Sequence, residues 1–170
     1  RAWNANRSMK NICSGKRFIS INMGENKRIV LVGAGNVATH LGMAWQKAGY
    51  EIVQVYSRTS DSALVLADQL GVSYTTSLEE ICNDADVYVV MVKDAVLQEL
   101  IPSVVKGRED ALFVHTAGSI PMSVWEGHAL RHGVLYPMQT FSKARVVDFA
   151  SVSFFVEANG NSDLMVLKDM

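Results

Sequence analysis

The sequence predicts an α/β domain: a doubly wound, mainly parallel sheet with helices on both faces. Three observations carry that expectation. Short strand patterns alternate with amphipathic helical ones along the chain. The strands read as continuous β-branched runs, the pattern of strands buried on both faces. Gly49 and Gly71 each follow a helical segment, where a glycine lets the chain turn back toward the next strand.

Taken in order, Arg28 to Val32 is the first buried run. Asn36 to Ala48 follows as a helix with Val37, Leu41, Ala44, Trp45 and Ala48 on one face. Residues 52–56 read as the next strand and 60–70 as the next helix. Val72 to Tyr74 is short, as an edge strand is. Val87 to Val92 is the most apolar run and should lie at the centre of the sheet. Asp94 is expected to cap a helix that buries Leu97, Leu100, Ile101 and Val104. Residues 112–115, 134–136 and 152–156 complete the strands. Ser162 reads as an N-cap, with 163–170 as a helix just begun.

Composition bounds the function. At 170 residues and 49% hydrophobic, the chain can bury one full core and is not disordered. Its 16 basic and 17 acidic residues argue against nucleic acid or an acidic membrane surface as main partner. No apolar run approaches the roughly 18 residues of a spanning helix. Cys13 and Cys82 stand far apart in no metal-like spacing, and neither they nor His128 and His132 suggest a metal site. That cysteine usage points to a reducing, cytoplasmic compartment. Residues 1–24 form a basic leader with five basic and no acidic side chains. It reads as a transit peptide or as sequence upstream of a start at Met23, and the missing amphipathic period favours the second.

The first strand-to-helix turn reads Gly33-Ala34-Gly35-Asn36-Val37-Ala38, a G-x-G-x-x-A. Gly33 permits the tight turn, Gly35 lets backbone approach a pyrophosphate, and Ala38 lets helix pack closely on strand. The helix N-terminus then offers free N–H groups and the positive end of its dipole to phosphates. A strand before the motif, an amphipathic helix after it and a second strand on schedule are its confirming context. A bare glycine turn and a methyl-donor site are the competing readings, and nothing else in the chain supports the latter.

An NAD site expects an acid at the end of the second strand, to hold the ribose 2′-hydroxyl. The acid in that strand is Glu51, at its beginning and so at the wrong edge of the sheet. At the correct edge stand Ser57-Arg58-Thr59. A guanidinium between two hydroxyls suits a 2′-phosphate, so NADP is favoured over NAD; the plainer reading is a loop that caps the helix from Ser60. Two further strand ends face the same crevice: Val92-Lys93-Asp94 and His115-Thr116-Ala117-Gly118-Ser119. His115 is a candidate donor to substrate or to the nicotinamide ribose, with a loop hydrogen bond as the alternative. His40, inside the first helix, reads as structural.

The G-A-G-N-V-A turn, the S-R-T at 57–59 and the V-V-M-V-K-D at 89–94 resemble NADP-binding domains of the pyrroline-5-carboxylate reductase and deazaflavin-dependent NADP reductase type. His115-Thr116-Ala117-Gly118-Ser119 with Tyr136-Pro137-Met138-Gln139-Thr140-Phe141 resembles a branch that joins a Rossmann-like domain to a helical C-terminal domain of unknown function. The resemblance covers residues 27 to 158. It implies that Gly33, Ala34, Gly35, Asn36 and Val37 form the pyrophosphate turn and Ser57, Arg58 and Thr59 the 2′-phosphate site. It places Val92, Lys93 and Asp94 in the loop beside the nicotinamide, although related reductases have Pro where this chain has Asp94. The expected organisation is a leader over 1–24, an NADP-binding domain over 25–158, and at 159–170 the start of a helical domain through which a homodimer would form.

The function so implied is hydride transfer between NADP and a small carbonyl or imine compound, with the protein supplying orientation and electrostatics. His115, Ser119 and Gln139 are the polar groups available to orient that substrate. The alternative is a nucleotide-binding sensor or scaffold without turnover, because the fold does not specify a reaction. A deazaflavin-linked reductase would need a second cofactor pocket that the sequence does not locate.

Overall fold

A computed structural model of the chain describes residues 27–142 and 147–170; the basic leader over 1–24, with Cys13, lies outside them. Among these residues seven strands form one sheet. They are β1 (Arg28–Val32), β2 (Glu51–Tyr56), β3 (Ser73–Thr75), β4 (Val87–Val90), β5 (Leu112–His115), β6 (Arg131–Pro137) and β7 (Phe154–Ala158), in the order β3-β2-β1-β4-β5-β6-β7. Helices α1 (Asn36–Ala48), α2 (Ser60–Leu70), α3 (Asp94–Val105) and α4 (Asn161–Asp169) cover its faces. Alternation along the strands sends Ile29, Leu31 and Val89 into one core with α1, α2 and α4. Val30, Val32 and Val90 enter the other, with α3 and the short 3-10 turn Met122–Trp125. This is the doubly wound α/β architecture that the alternating pattern predicts.

The winding reverses between β1 and β4, so the crevice for a ligand opens beyond their carboxyl ends. As expected, β3 is an edge strand and β4 lies at the centre. The strand expected over 87–92 ends at Val90; just beyond it the Met91 N–H still donates to the Val32 carbonyl, and the Met91 backbone passes close against Gly33. Strands β1 to β6 are parallel, whereas β7 runs antiparallel to β6 and begins two residues later than the pattern predicts.

The final helix also differs from the expectation. Gly160, not Ser162, is its N-cap. Asp163 is only 4% exposed and is gripped by Arg131, with Nη2 at 2.5 Å and Nε at 3.2 Å from one carboxylate oxygen. A buried carboxylate needs such a partner, and this one fixes where α4 docks on β6.

Candidate active site

Backbone geometry comes first. Gly33 has φ +130°, a conformation that L side chains rarely adopt, and its N–H donates to the Tyr56 carbonyl at 2.8 Å. A Cβ there would lie 2.3 Å from the Met91 carbonyl oxygen. Gly35 is different: its φ is −82°, and a Cβ would meet nothing within 4 Å. No strain requires a glycine at 35; the room it leaves does. Ala38 is fully buried between α1 and the sheet. Gly35 is the N-cap of α1, no side chain caps the helix, and its first turn holds no acid. The first N–H groups of α1 and the positive end of its dipole therefore face the crevice unmasked.

A cleft of about 220 Å³ sits at that spot. It brings together Gly33, Ala34 and Gly35 from the first turn, Ser57 and Arg58 from the end of β2, and Val92 and Lys93 from the end of β4. Ser62, in the first turn of α2, joins them and is a polar wall residue that sequence reading missed. Arg58 and Lys93 are exposed, and among the described residues neither forms an ion pair. Glu51 lies across the sheet at the opposite edge, 3.5 Å from Arg28, its register partner. Among the described residues the cleft is thus positive and carries no carboxylate on its walls.

Four residues expected in the cofactor site are placed outside this lining. Asn36 donates from Nδ2 to the Phe141 carbonyl at 2.9 Å, and Val37 packs against the core. Thr59 is the N-cap of α2. Asp94 does not cap α3, whose N-cap is Lys93; its carboxylate instead accepts the Ser119 hydroxyl. That contact joins the loops leaving β4 and β5. His40 holds the same segment as Asn36, through the Ser142 carbonyl at 2.8 Å and the Phe141 ring. The Y-P-M-Q-T-F segment is therefore strapped over the start of α1. Replacing Asn36 by alanine should remove about 1 kcal/mol of that attachment. Faster amide hydrogen exchange in 140–142 at unchanged global stability would show it.

Beyond Ser119 opens a second cleft, of about 430 Å³, between residues 117–122 and strands β6 and β7. Ser119 lines it, whereas Gln139 is exposed and outside its walls. The expectation of a His115 donor to substrate meets a ring with no exposed surface. It stacks on Trp125, with ring centroids 6.1 Å apart, and its Nδ1 accepts the Ala117 N–H at 3.2 Å. The loop hydrogen bond is the alternative that the sequence left open for His115; the cover by Trp125 was not readable, because the Trp125 turn carries no periodic signal. In this structure His115 holds the turn that precedes the second cleft.

Burial pushes the His115 pKa down from 6.5; the Pro121 backbone, Asp94 and Glu157 oppose the shift without reversing it. The folded chain thus keeps the ring neutral where the unfolded chain would protonate it. The unfolded state binds more protons there, so stability is lost as pH falls below the ordinary histidine range. Replacing His115 by glutamine, which keeps an acceptor, should flatten the slope of unfolding free energy against pH between 7 and 5. An unchanged slope would contradict the neutral ring.

Residues 28–118 match the family model described as NADP oxidoreductase, coenzyme F420-dependent. Among solved structures, a candidate NADP oxidoreductase from Bacteroides fragilis is 53% identical, with a TM-score of 0.82 over 85% of this chain and 56% of that one. A pyrroline-5-carboxylate reductase from Coxiella burnetii is 22% identical, with a TM-score of 0.67 over 84% of this chain and 54% of that one. Prephenate dehydrogenase from A. aeolicus, solved with NAD+, is 14% identical, with a TM-score of 0.70 over 88% and 57%. The last two likenesses show the fold alone. The chain spans little more than half the length of these structures. No curated protein matches it. Among the described residues no helix is long and apolar enough to cross a membrane, and no group of side chains could hold a metal ion.

Proposed function

Because the chain belongs to the family of coenzyme F420-dependent NADP oxidoreductases, a family that uses a nicotinamide dinucleotide, we propose that the cleft beside Gly33 holds NADP(H). The observation that carries this reading is the pairing of an open glycine cradle with Arg58, a guanidinium that no described carboxylate neutralises. The residues fit the group. Backbone at Gly33, Ala34 and Gly35 would meet the pyrophosphate, and the N-terminus of α1 would add its dipole. Arg58, with Ser57 and Thr59 beside it and Ser62 across the cleft, would take the 2′-phosphate. Val92 and Lys93 would pass along the nicotinamide side.

When bound, the nicotinamide supplies or accepts hydride; the chain's own residues orient the partners. The Asp94–Ser119 contact fixes the loop between the two clefts, and His115 fixes the turn behind it. Ser119 would meet a small carbonyl or imine compound from the wall of the second cleft, Gln139 could reach it only from outside those walls, and a homodimer would form through a helical domain beyond 158. Fluorescence titration tests the reading. NADPH should bind about tenfold or more tightly than NADH, and equal or reversed affinities would overturn it.

A further inference from the structure

The cofactor reading leaves the larger cleft without an assigned ligand, and that cleft has the opposite charge. Its outer wall is made by the β6–β7 pair. Glu157 lies opposite Val134, which lies opposite His115, so its carboxylate stands at the level where the parallel strands end. Alternation places Phe155 and Glu157 on one side of β7, and Val156 and Ala158 pack in the core with α4 on the other. Tyr136 and Met138 continue the wall. Phe155 is 60% and Met138 53% exposed, an apolar surface open toward the cleft. Among the described residues no lysine, arginine or histidine lines it, and Glu157 forms no ion pair. Across the loop, Asp94 adds a second carboxylate through Ser119.

Two adjoining clefts of opposite sign select opposite ligands. A carboxylate entering the second would meet Glu157 with no counter-charge among the described wall residues, at a cost in both desolvation and repulsion. An ammonium would meet a carboxylate beside two aromatic rings, Tyr136 and Phe155, whose faces attract cations. We propose that the second cleft binds the substrate and that this substrate is a cation, an ammonium or iminium compound with an apolar body. The assignment of the occupant as substrate rests on the cofactor reading given above; the preference for a cation does not.

Three size-matched probes test it on the 170-residue chain, isotope-labelled and followed by amide shifts: benzylammonium, benzyl alcohol and benzoate. Benzylammonium should bind about fivefold more tightly than benzoate, the scale of one exposed charge pair. The shifts should gather at Ser119, Tyr136, Phe155 and Glu157. In Glu157→Gln, an exposed position whose change leaves the core intact, the preference should fall to within about twofold. Benzoate binding as tightly, a preference that survives Glu157→Gln, or no benzylammonium binding at millimolar concentration would each overturn the proposal. NADPH titrated in parallel keeps the two readings apart. Probe preference without NADPH binding removes the function and keeps the cation-binding cleft; NADPH binding without preference does the reverse.

Discussion

Replacing Arg58 by alanine should weaken NADPH binding by about 10- to 100-fold while leaving NADH binding within about twofold. A charge-assisted hydrogen bond to an ionised group contributes about 1.5–3 kcal/mol, and that difference is a factor of this size in affinity. The selectivity follows from position. Arg58 stands at the carboxyl end of β2 on the cleft wall with no described carboxylate partner, so its removal leaves no unpaired acid behind. Thermal stability should be unchanged, since the side chain is exposed. Equal losses for NADPH and NADH would place Arg58 on a part of the cofactor that both share. Calorimetry with both nucleotides on both proteins measures all four affinities.

The two glycines of the first turn should respond in opposite ways to alanine. Gly33→Ala forces a side chain into φ +130° and drives a Cβ to 2.3 Å from the Met91 carbonyl oxygen. Backbone strain and overpacking each cost about 1–3 kcal/mol, so a loss on the order of 3 kcal/mol is expected, with Tm falling by about 6–12 °C. Neither β1 nor β4 can yield, because Met91 is tied to Val32 and Gly33 to Tyr56 by backbone hydrogen bonds. Gly35→Ala meets no atom within 4 Å at an ordinary φ, so its Tm should move by only a few degrees. Its cost appears in nucleotide affinity instead, because the methyl group occupies the space where backbone would approach a phosphate. Calorimetric unfolding with NADPH titration separates the pair. A Gly35→Ala protein that binds normally would remove the pyrophosphate from this turn.

These residues also show what a single sequence makes legible. The G-x-G-x-x-A turn and the strands around it are local features, and the structure has them at the expected places. Arg58 was readable because a strand end fixes which edge of the sheet a residue occupies; Glu51, seven residues earlier, falls at the other edge beside Arg28. Contacts made across the sheet were not readable. Asp94 looks like a helix cap until Ser119, 25 residues away, engages its carboxylate. Ser162 looks like an N-cap until Arg131 takes Asp163 and sets the start of α4 at Gly160. His115 looks like a crevice histidine until Trp125 covers its ring.

The direction of β7 belongs with those cases. Its residues have strand propensity in either orientation, and nothing local in them sets that it pairs antiparallel with β6. That reversal puts Phe155 and Glu157 beside Tyr136 and so creates the outer wall of the second cleft. The alternation of Phe155 and Glu157 with Val156 was a signal that one face of this strand stays open.

The central claim is that NADP(H) occupies the cleft built from the ends of β1, β2 and β4. Amide shift mapping with NADP+ on the labelled chain tests it most directly. The largest shifts should fall at Gly33, Ala34, Gly35, Ser57, Arg58, Val92 and Lys93, with Ser57 and Arg58 shifting far less when NAD+ replaces NADP+. Shifts confined to 117–122 and 155–157, or an identical pattern with both nucleotides, would contradict it.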